Sequence, residues 1–498
     1  MEHGPERELK LAADADFRMP SVYGLAGTAT VRRTPPERSD TTYYDTDDLR
    51  LARWGASLRH RAGEGWTVKL PAERDAPFLV RPEALFQGNG SAPPAAAVEL
   101  VRGFVREKEV RPRVHMTTVR RRTQIHDESG RLVGGVVDDA VSVLDDGHAP
   151  TSFRELEVEI GDEMTPSLLD ALVERLRQAG AGAPEQTAKY IRALTGHTAL
   201  TPEVTVADLA KDSTAGDVVR RAIALSAIRL ILHDPVVRLD VDSEGVHQAR
   251  VATRRLRSDL RTFRSLLEPS FAAALREELG WLARLLGDVR DADVLLERLA
   301  RSAAGLPEDE RVGADAVLAA LEDAREAAHA RLLDAIGTAR YVNLLSALVA
   351  AANEPSLRPE ATGAATEIVP ALVRRPWHRL AKYVAGLDDA PPDDRLHEVR
   401  IRAKRVRYAT EAIAPVVGKQ ARSFARAAAS LQEVLGDHND AAVAAAWLEK
   451  QRRDAADRDV RRAADALAAT ERAAAEAARA RWHGPWERLA APELRSWM

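Results

Sequence analysis

Cysteine is absent from the 498 residues. That excludes disulfides, thiolate metal sites and cysteine nucleophiles. It is compatible with a reducing cytoplasm, the location expected for the chain. No run approaches about 18 consecutive apolar residues, so no membrane span is expected. The opening MEHGPERELK lacks an apolar h-region, so no secretory signal is expected. A strong net charge is also lacking. The formal value is −4, which argues against bulk nucleic-acid binding but leaves room for local basic surfaces. What is present is 45% hydrophobic and 30% charged residues, the composition of globular domains, over a length that predicts more than one of them.

The composition changes near residue 200. Before it, short β-rich runs alternate with turn residues: TTYYDT, GWTVKLP, RLVGGVVDDAVSVL and FRELEVEIG. PSLLDALVERLRQAG has helical spacing, with Gly180 as its stop. The segment 82–97, PEALFQGNGSAPPAAA, reads as a loop. After residue 200 the chain is rich in Ala, Leu, Arg, Glu and Asp, which is helix composition. This places one domain over 1–200, a linker over 201–215 and a helical domain over 216–495, with a break near 353–370. The helical domain repeats itself, in halves spanning about 216–352 and 365–490. VHQARVATRRLR (246–257) and LHEVRIRAKRVR (396–407) both read H-x-x-R-x-x-x-[RK]-R-x-R. LLGDVRDAD and VLGDHNDAA follow, and Arg220–Arg221 and Arg374–Arg375 precede. Three matches in the same order point to internal duplication.

Side chains at i, i+2 and i+4 share one face of a strand. Glu6, Glu8 and Lys10 do so in ERELK, Arg59 and Arg61 in SLRHR, Thr67 and Lys69 in WTVKL. Arg120 and Arg122 do so in VRRRTQ, and Glu155, Glu157 and Glu159 in RELEVEI. An antiparallel sheet with one solvated face would alternate in the same way. Here, however, the charges are sorted by strand, acids in two and bases in at least three. Closed into a barrel, such strands would set a basic lining beside an acidic cluster. Bases hold polyanions by charge-assisted hydrogen bonds, and carboxylates hold hard divalent cations. That combination suits phosphoryl transfer.

ERELK resembles the E-x-E-x-K signature of the CYTH superfamily, the triphosphate tunnel metalloenzymes. YYDT, LRHR, WTVKLP, VVDD, ELEVE and AKY resemble its other motifs in the family's order. The resemblance implies an α+β protein whose first domain is an eight-stranded antiparallel β-tunnel with flanking helices, binding triphosphate with Mg²⁺ or Mn²⁺. It implies Lys10, Arg59, Arg61, Lys69, Arg120, Arg122 and Lys189 as phosphate ligands. Glu6, Glu8, Asp138, Glu155, Glu157 and Glu159 are implied as metal ligands or water-activating carboxylates. The division of labour among the three late glutamates stays open. Glu6, Glu8, Lys10 and Glu157 form the expected catalytic group. Arg121 falls between two lining positions and is expected to face outward.

With His247 set to zero at about 100° per residue, Arg250, Arg254 and Arg257 fall within about 80° of it. Leu256, Leu260 and Phe263 lie opposite, where they would pack. His397, Arg400, Lys404 and Arg407 repeat the face, and Arg255 and Arg405 lie near its edge. A solvated helix face normally mixes signs. This one is nearly pure base and self-repelling without an anion. No acid or second histidine stands at metal-ligand spacing beside either histidine. The pattern resembles the CHAD domain, which implies an all-α domain of two pseudo-symmetric four-helix bundles that binds inorganic polyphosphate. Arg220, Arg221, Arg374, Arg375, Arg379 and Lys382 would extend its basic surface. In LGDVRD and LGDHND the glycine reads as a helix stop, with Asp288 and Asp437 capping the next helix.

These readings converge on an inorganic triphosphatase or short-chain polyphosphatase whose helical domain tethers polyphosphate. A second reading is a non-catalytic polyphosphate-binding protein associated with polyphosphate granules. A third is an adenylate cyclase or thiamine triphosphatase. A specific nucleic-acid partner is not expected, because the basic helices lack interleaved aromatics.

Overall fold

The structure is a computed structural model that describes residues 8–25, 30–71, 73–75, 78–80, 82–88, 90, 92–144, 151–184, 187–195, 200–388 and 390–498. The chain divides into two compact units, Met1–Glu203 and Val204–Met498.

The first unit is built on one antiparallel sheet. Strands β1 (Glu8–Ala13), β2 (Thr30–Arg33), β3 (Glu37–Asp45), β4 (Ser57–Arg61) and β5 (Gly65–Lys69) come first. The short β6 (Glu73–Asp75), β7 (Phe78–Val80) and β8 (Glu83–Phe86) follow, then the long β9 (Arg111–His126), β10 (Leu132–Leu144) and β11 (Thr151–Ile160). Helices α1 (Arg50–Trp54), α2 (Ala95–Leu100), α3 (Arg102–Val105), α4 (Pro166–Gln178) and α5 (Lys189–Thr195) accompany them. The path runs β6-β7-β1-β11-β10-β9-β3-β4-β5-β8, with β2 added on β9. Among the described residues the sheet has eleven strands, where the resemblance implied eight. Part of the excess arises because β9 is 16 residues long and holds two partners end to end, β3 against Arg111–Arg120 and β2 against Thr123–His126. The 82–97 segment, expected as a loop, instead contributes β8 and the start of α2.

Strand alternation decides what each face does. One face carries Leu11, Ala13, Val136, Leu156 and Val158 against Leu168, Leu172 and Leu176 of α4. The other carries the charged residues. Its far end is filled by Tyr43, Met116, Val141 and Val143 packed with Ala188 and Tyr190, so α5 closes over the end of that face. Tyr43 stacks on Tyr190 with ring centroids 5.1 Å apart, and the Tyr190 hydroxyl donates to the Ala56 carbonyl.

The aspartate of YYDT is structural. Asp45 is buried and accepts from the amides of Thr46 at 2.7 Å and of Leu51 and Ala52 at 2.9 Å, which fixes α1 beside β3. Asp45→Ala is expected to cost about 3 kcal/mol by stranding these buried donors, read as a lower urea midpoint.

The second unit is all helix. Its first copy comprises α6 (Ala215–Leu239), α7 (Glu244–Thr262), α8 (Pro269–Ala303), α9 (Glu308–Ile336) and α10 (Ala339–Asn353). The second comprises α11 (Ala365–Val384), α12 (Asp393–Val417), α13 (Lys419–Asp454), α14 (Arg458–Arg479) and α15 (His483–Ala490). Among the described residues each copy has five helices, in matching order. Helices of both copies also share a core. At 35 and 36 residues, α8 and α13 are each about 52 Å long. Their distal halves meet in a common core, where Leu295, Leu299, Val317 and Leu321 pack with Ala444, Leu448, Ala463 and Leu467. The glycines of both LGD motifs lie inside α8 and α13, so neither is a helix stop, and Asp288 and Asp437 cap nothing. Among the described residues no single helix is long and apolar enough to cross a membrane.

Candidate active site and basic helix surface

Register settles which charges share the sheet's inner face. Lys10 stands opposite Glu157 and Glu8 opposite Glu159 between β1 and β11. Glu155 stands opposite Asp139 of β10, and Asp139 opposite Arg120 of β9. Tyr43 of β3 stands opposite Arg59 of β4, and Arg59 opposite Thr67 of β5. These residues form one surface, acidic across β1, β11 and β10 and basic across β9, β4 and β5. Arg121 lies between two lining positions and is exposed, as expected.

At the centre, three cations, Lys10, Arg120 and Lys189, meet four carboxylates, Glu8, Asp139, Glu155 and Glu157. Lys10, 8% exposed, reaches Glu157 at 3.2 Å, Glu8 at 3.3 Å and Glu155 at 3.5 Å. Arg120 forms a two-pronged pair with Asp139 at 2.9 and 2.7 Å and touches Glu157 at 3.1 Å. Lys189, delivered by α5, pairs with Asp139 and lies 3.5 Å from Glu157 and 3.6 Å from Glu155. Burial opposes the charge on Glu157, but Lys189, Lys10 and Arg120 hold it well below the usual carboxylate range. Asp139 is likewise lowered against its burial by Arg120 and Lys189. Glu155 goes the other way: burial raises it, in spite of both lysines.

Further out each base has its own partner. Arg61 pairs with Glu64 at 2.9 Å, Lys69 with Glu83, and Arg122 with Glu37 at 2.9 Å. Arg59 bonds to the Tyr43 hydroxyl. Burial would raise that phenol, but Arg59, Lys189 and Lys69 lower it, so Tyr43 stands among three of the predicted phosphate ligands. Glu6 lies outside the described residues.

One predicted residue belongs elsewhere. Asp138 stands opposite Leu156, on the outer face. Arg154 holds both of its oxygens at 2.7 Å and also donates to the Phe17 carbonyl at 2.5 Å. The inner-face aspartate is its neighbour Asp139. In VVDD either aspartate could face inward, and only the pairing with Glu155 decides between them.

On the helical unit the duplicated stripes converge. Arg250 and Arg254 of α7 lie close enough to depress Lys404 of α12, which burial and Arg400 already lower, to about 7. Arg250 reaches Asp291 of α8 at 2.9 Å, and Arg400 reaches Asp440 of α13 at 3.7 Å. His397 bonds to Asn439 at 2.6 Å. Burial and Arg290 lower His247. The LGD glycines now have a role. A Cβ on Gly287 would fall 2.7 Å from a terminal nitrogen of Arg250, and one on Gly436 would fall 3.9 Å from Arg400. The motif therefore places a small residue beside each arginine, close only at Gly287, and supplies the aspartate one turn later. Other predicted bases are already engaged: Arg220 by Asp217, Arg221 by Asp208 and the Ala207 carbonyl, and Arg255 and Arg407 by Glu411. Arg254 and Arg407 also lie over the ring of Tyr408, at 5.6 and 5.9 Å. Arg374, Arg375, Arg379 and Lys382 are exposed on α11, and Arg405 on α12.

Two domain models match in tandem, the CYTH domain over residues 4–191 and the CHAD domain over residues 221–449. The uncharacterized protein Rv2226 of Mycobacterium tuberculosis is 31% identical over 463 residues, which cover 87% of this chain and 86% of that protein. The chain belongs to the CYTH–CHAD proteins. Among solved structures, PptA from Streptomyces chartreusis is 26% identical and covers 55% of this chain and 100% of its own, with a TM-score of 0.46. The CHAD domain from the plant Ricinus communis is 24% identical and covers 59% and 98%, with a TM-score of 0.48.

CYTH tunnel proteins are metal-dependent triphosphatases or cyclases. Among the described residues of this CYTH unit no three Asp, Glu or His side chains stand in metal-ligand geometry. The donor set nevertheless fits a hard divalent cation. It is all oxygen, and Oε2 of Glu155, fully buried, has no hydrogen-bond partner among the described residues.

In the CHAD unit, burial and Arg400 lower Lys404 to about 7, so any polyanion bound on this face would meet a lysine whose charge depends on pH, and would favour its protonated form. Affinity for a polyanion would then be expected to fall between pH 6 and pH 8, by up to about tenfold per unit above 7. Calorimetry in two buffers of different ionisation enthalpy should read proton uptake at pH 8. Lys404→Met should abolish that share.

Proposed function

We propose that the CYTH unit hydrolyses inorganic triphosphate or short polyphosphate with Mg²⁺ or Mn²⁺, and that the CHAD unit binds inorganic polyphosphate. The observation that carries this reading is the single sheet face on which a basic wall adjoins buried carboxylates. Arg59, Arg61, Lys69, Arg120 and Arg122 would receive the phosphoryl oxygens, and Lys10 and Lys189 would meet the reacting end. Glu8, Glu155, Glu157 and Glu159 would hold the cation, which would neutralise charge on those oxygens. Water attacks the terminal phosphorus, the anhydride P–O bond breaks, and the shortened chain leaves with that oxygen. One carboxylate of this group would take the proton from the water.

The CHAD stripes support polyphosphate because they are dense in charge and carry nothing that reads a base. Granule association would follow from that binding. The test is phosphate release from tripolyphosphate with Mg²⁺ or Mn²⁺ from neutral to alkaline pH. Folded protein that releases none would refute the hydrolase. Parallel assays with long polyphosphate, ATP and thiamine triphosphate separate the substrate classes.

A further inference from the structure

Asp259, near the end of α7, plays no part in the sites described above. It is 1% exposed, and neither carboxyl oxygen has a hydrogen-bond partner among the described residues. Buried polar groups are almost always bonded, and a buried charge is tolerated only when it is well paired. The pairing here is poor. Arg255, one turn back on the same helix, lies 3.4 Å from Oδ2, but its guanidinium donates to Glu411 of α12. Glu411 holds Arg407 as well, at 2.6 Å. Arg255 also lies over the ring of Tyr408 of α12, at 5.4 Å. Helices α6 and α8 pack on α7 too, and among the described residues neither sets a charge against Asp259. Two carboxyl groups therefore compete for Arg255, and the less buried one holds it.

Packing does not require this carboxyl group. At the repeat offset of 150 residues set by His247 and His397, Asp259 corresponds to Ala409, which is fully buried in α12. One copy fills the position with a methyl group, and the other puts an acid there at a cost in stability. The arrangement around it is not duplicated either, since Glu411 corresponds to Arg261. The acid stands where Arg255 joins the two copies, on the helices that carry the histidine stripes. Burial pushes its carboxyl up to about 7 in spite of Arg255, and Glu411 adds to the rise.

We propose that Asp259 is a proton-binding site that governs the tie between the two copies of the helical unit. With its proton in place Asp259 is neutral and Arg255 serves Glu411, the arrangement in the structure. When the proton leaves to solvent, Asp259 becomes the more deeply buried anion. Arg255 then turns to it, and the tie to α12 loosens. The device rests on neither triphosphate hydrolysis nor polyphosphate binding.

The test is infrared difference spectroscopy on the full chain, wild type minus Asp259→Asn, from about pH 5 to pH 9. The band of a protonated carboxylic acid is expected at the acid end and should be lost with a midpoint near 7. Glu411→Gln frees Arg255 for Asp259 and should bring that midpoint down by about one unit. Urea unfolding, followed by helical circular dichroism, gives a second reading. A carboxyl group raised by folding contributes stability that is present below its unfolded pKa and is lost as pH rises through the folded one. The unfolding constant of wild type relative to Asp259→Asn should therefore rise by up to about tenfold per unit between pH 5 and pH 7, and level off above 8. Asp259→Ala, which copies the other half of the repeat, takes the place of the asparagine variant if that chain does not fold. Absence of the acid band at pH 5, its persistence at pH 9, a midpoint unmoved in Glu411→Gln, or a ratio of unfolding constants that does not change with pH would each overturn the proposal.

Discussion

Glu157→Gln is expected to lower phosphate release from tripolyphosphate by about 10³-fold. Glu157 is the carboxylate that all three central cations share, with Lys10 at 3.2 Å, Arg120 at 3.1 Å and Lys189 at 3.5 Å. Glutamine keeps the shape and removes the charge. Buried Lys10 and half-buried Arg120 and Lys189 would then repel one another more strongly and shift from the positions proposed to hold the phosphates. Preorganised charge is the main source of rate in phosphoryl transfer, and a single misplaced group commonly costs two to three powers of ten. The effect should fall on kcat. KM should hold or drop, because the site has become more positive toward a polyanion. Stability should fall by about 3 kcal/mol, since breaking a buried charge network strands its partners. Because Glu157 titrates well below the usual range, that contribution is present above the unfolded pKa and is lost as pH falls through the folded one. A kcat within threefold of wild type, measured on protein shown to be folded, would remove Glu157 from the machinery.

Two adjacent aspartates should give opposite phenotypes. Asp139→Asn removes the charge that orients Arg120 and Lys189 and should cost about 10²-fold in kcat. Asp138→Asn touches only the outer-face pair with Arg154. It should leave kcat within about twofold and lower stability by about 3 kcal/mol, read as a shifted urea midpoint. The reverse pattern would mean that β10 is paired one residue out of register, which flips every side chain to the other face.

The same pair marks what the sequence could and could not disclose. Alternation within a strand is local, so spacing put Lys10, Arg120 and Glu157 each on a charged strand face, and the family resemblance supplied their expected roles. Choosing between Asp138 and Asp139 needs the partner strand, which spacing does not supply. In the helical unit the histidine stripe was legible because it occurs twice at helical period. The LGD glycine was misread because glycine usually weakens a helix, by about 1 kcal/mol relative to alanine. Here the glycine lies inside a helix of 35 residues whose other positions carry it.

The shared core of the CHAD unit bears on how the duplication arose. Leu299 and Leu321 of one copy pack with Leu448 and Leu467 of the other, and Arg255 of α7 reaches Glu411 of α12. Equivalent helices meet across a pseudo-twofold relation, the pattern of an isologous dimer whose two chains have been joined. A single copy, expressed by itself, would expose half a core. Pairing with a second molecule of itself would be expected to cover that half.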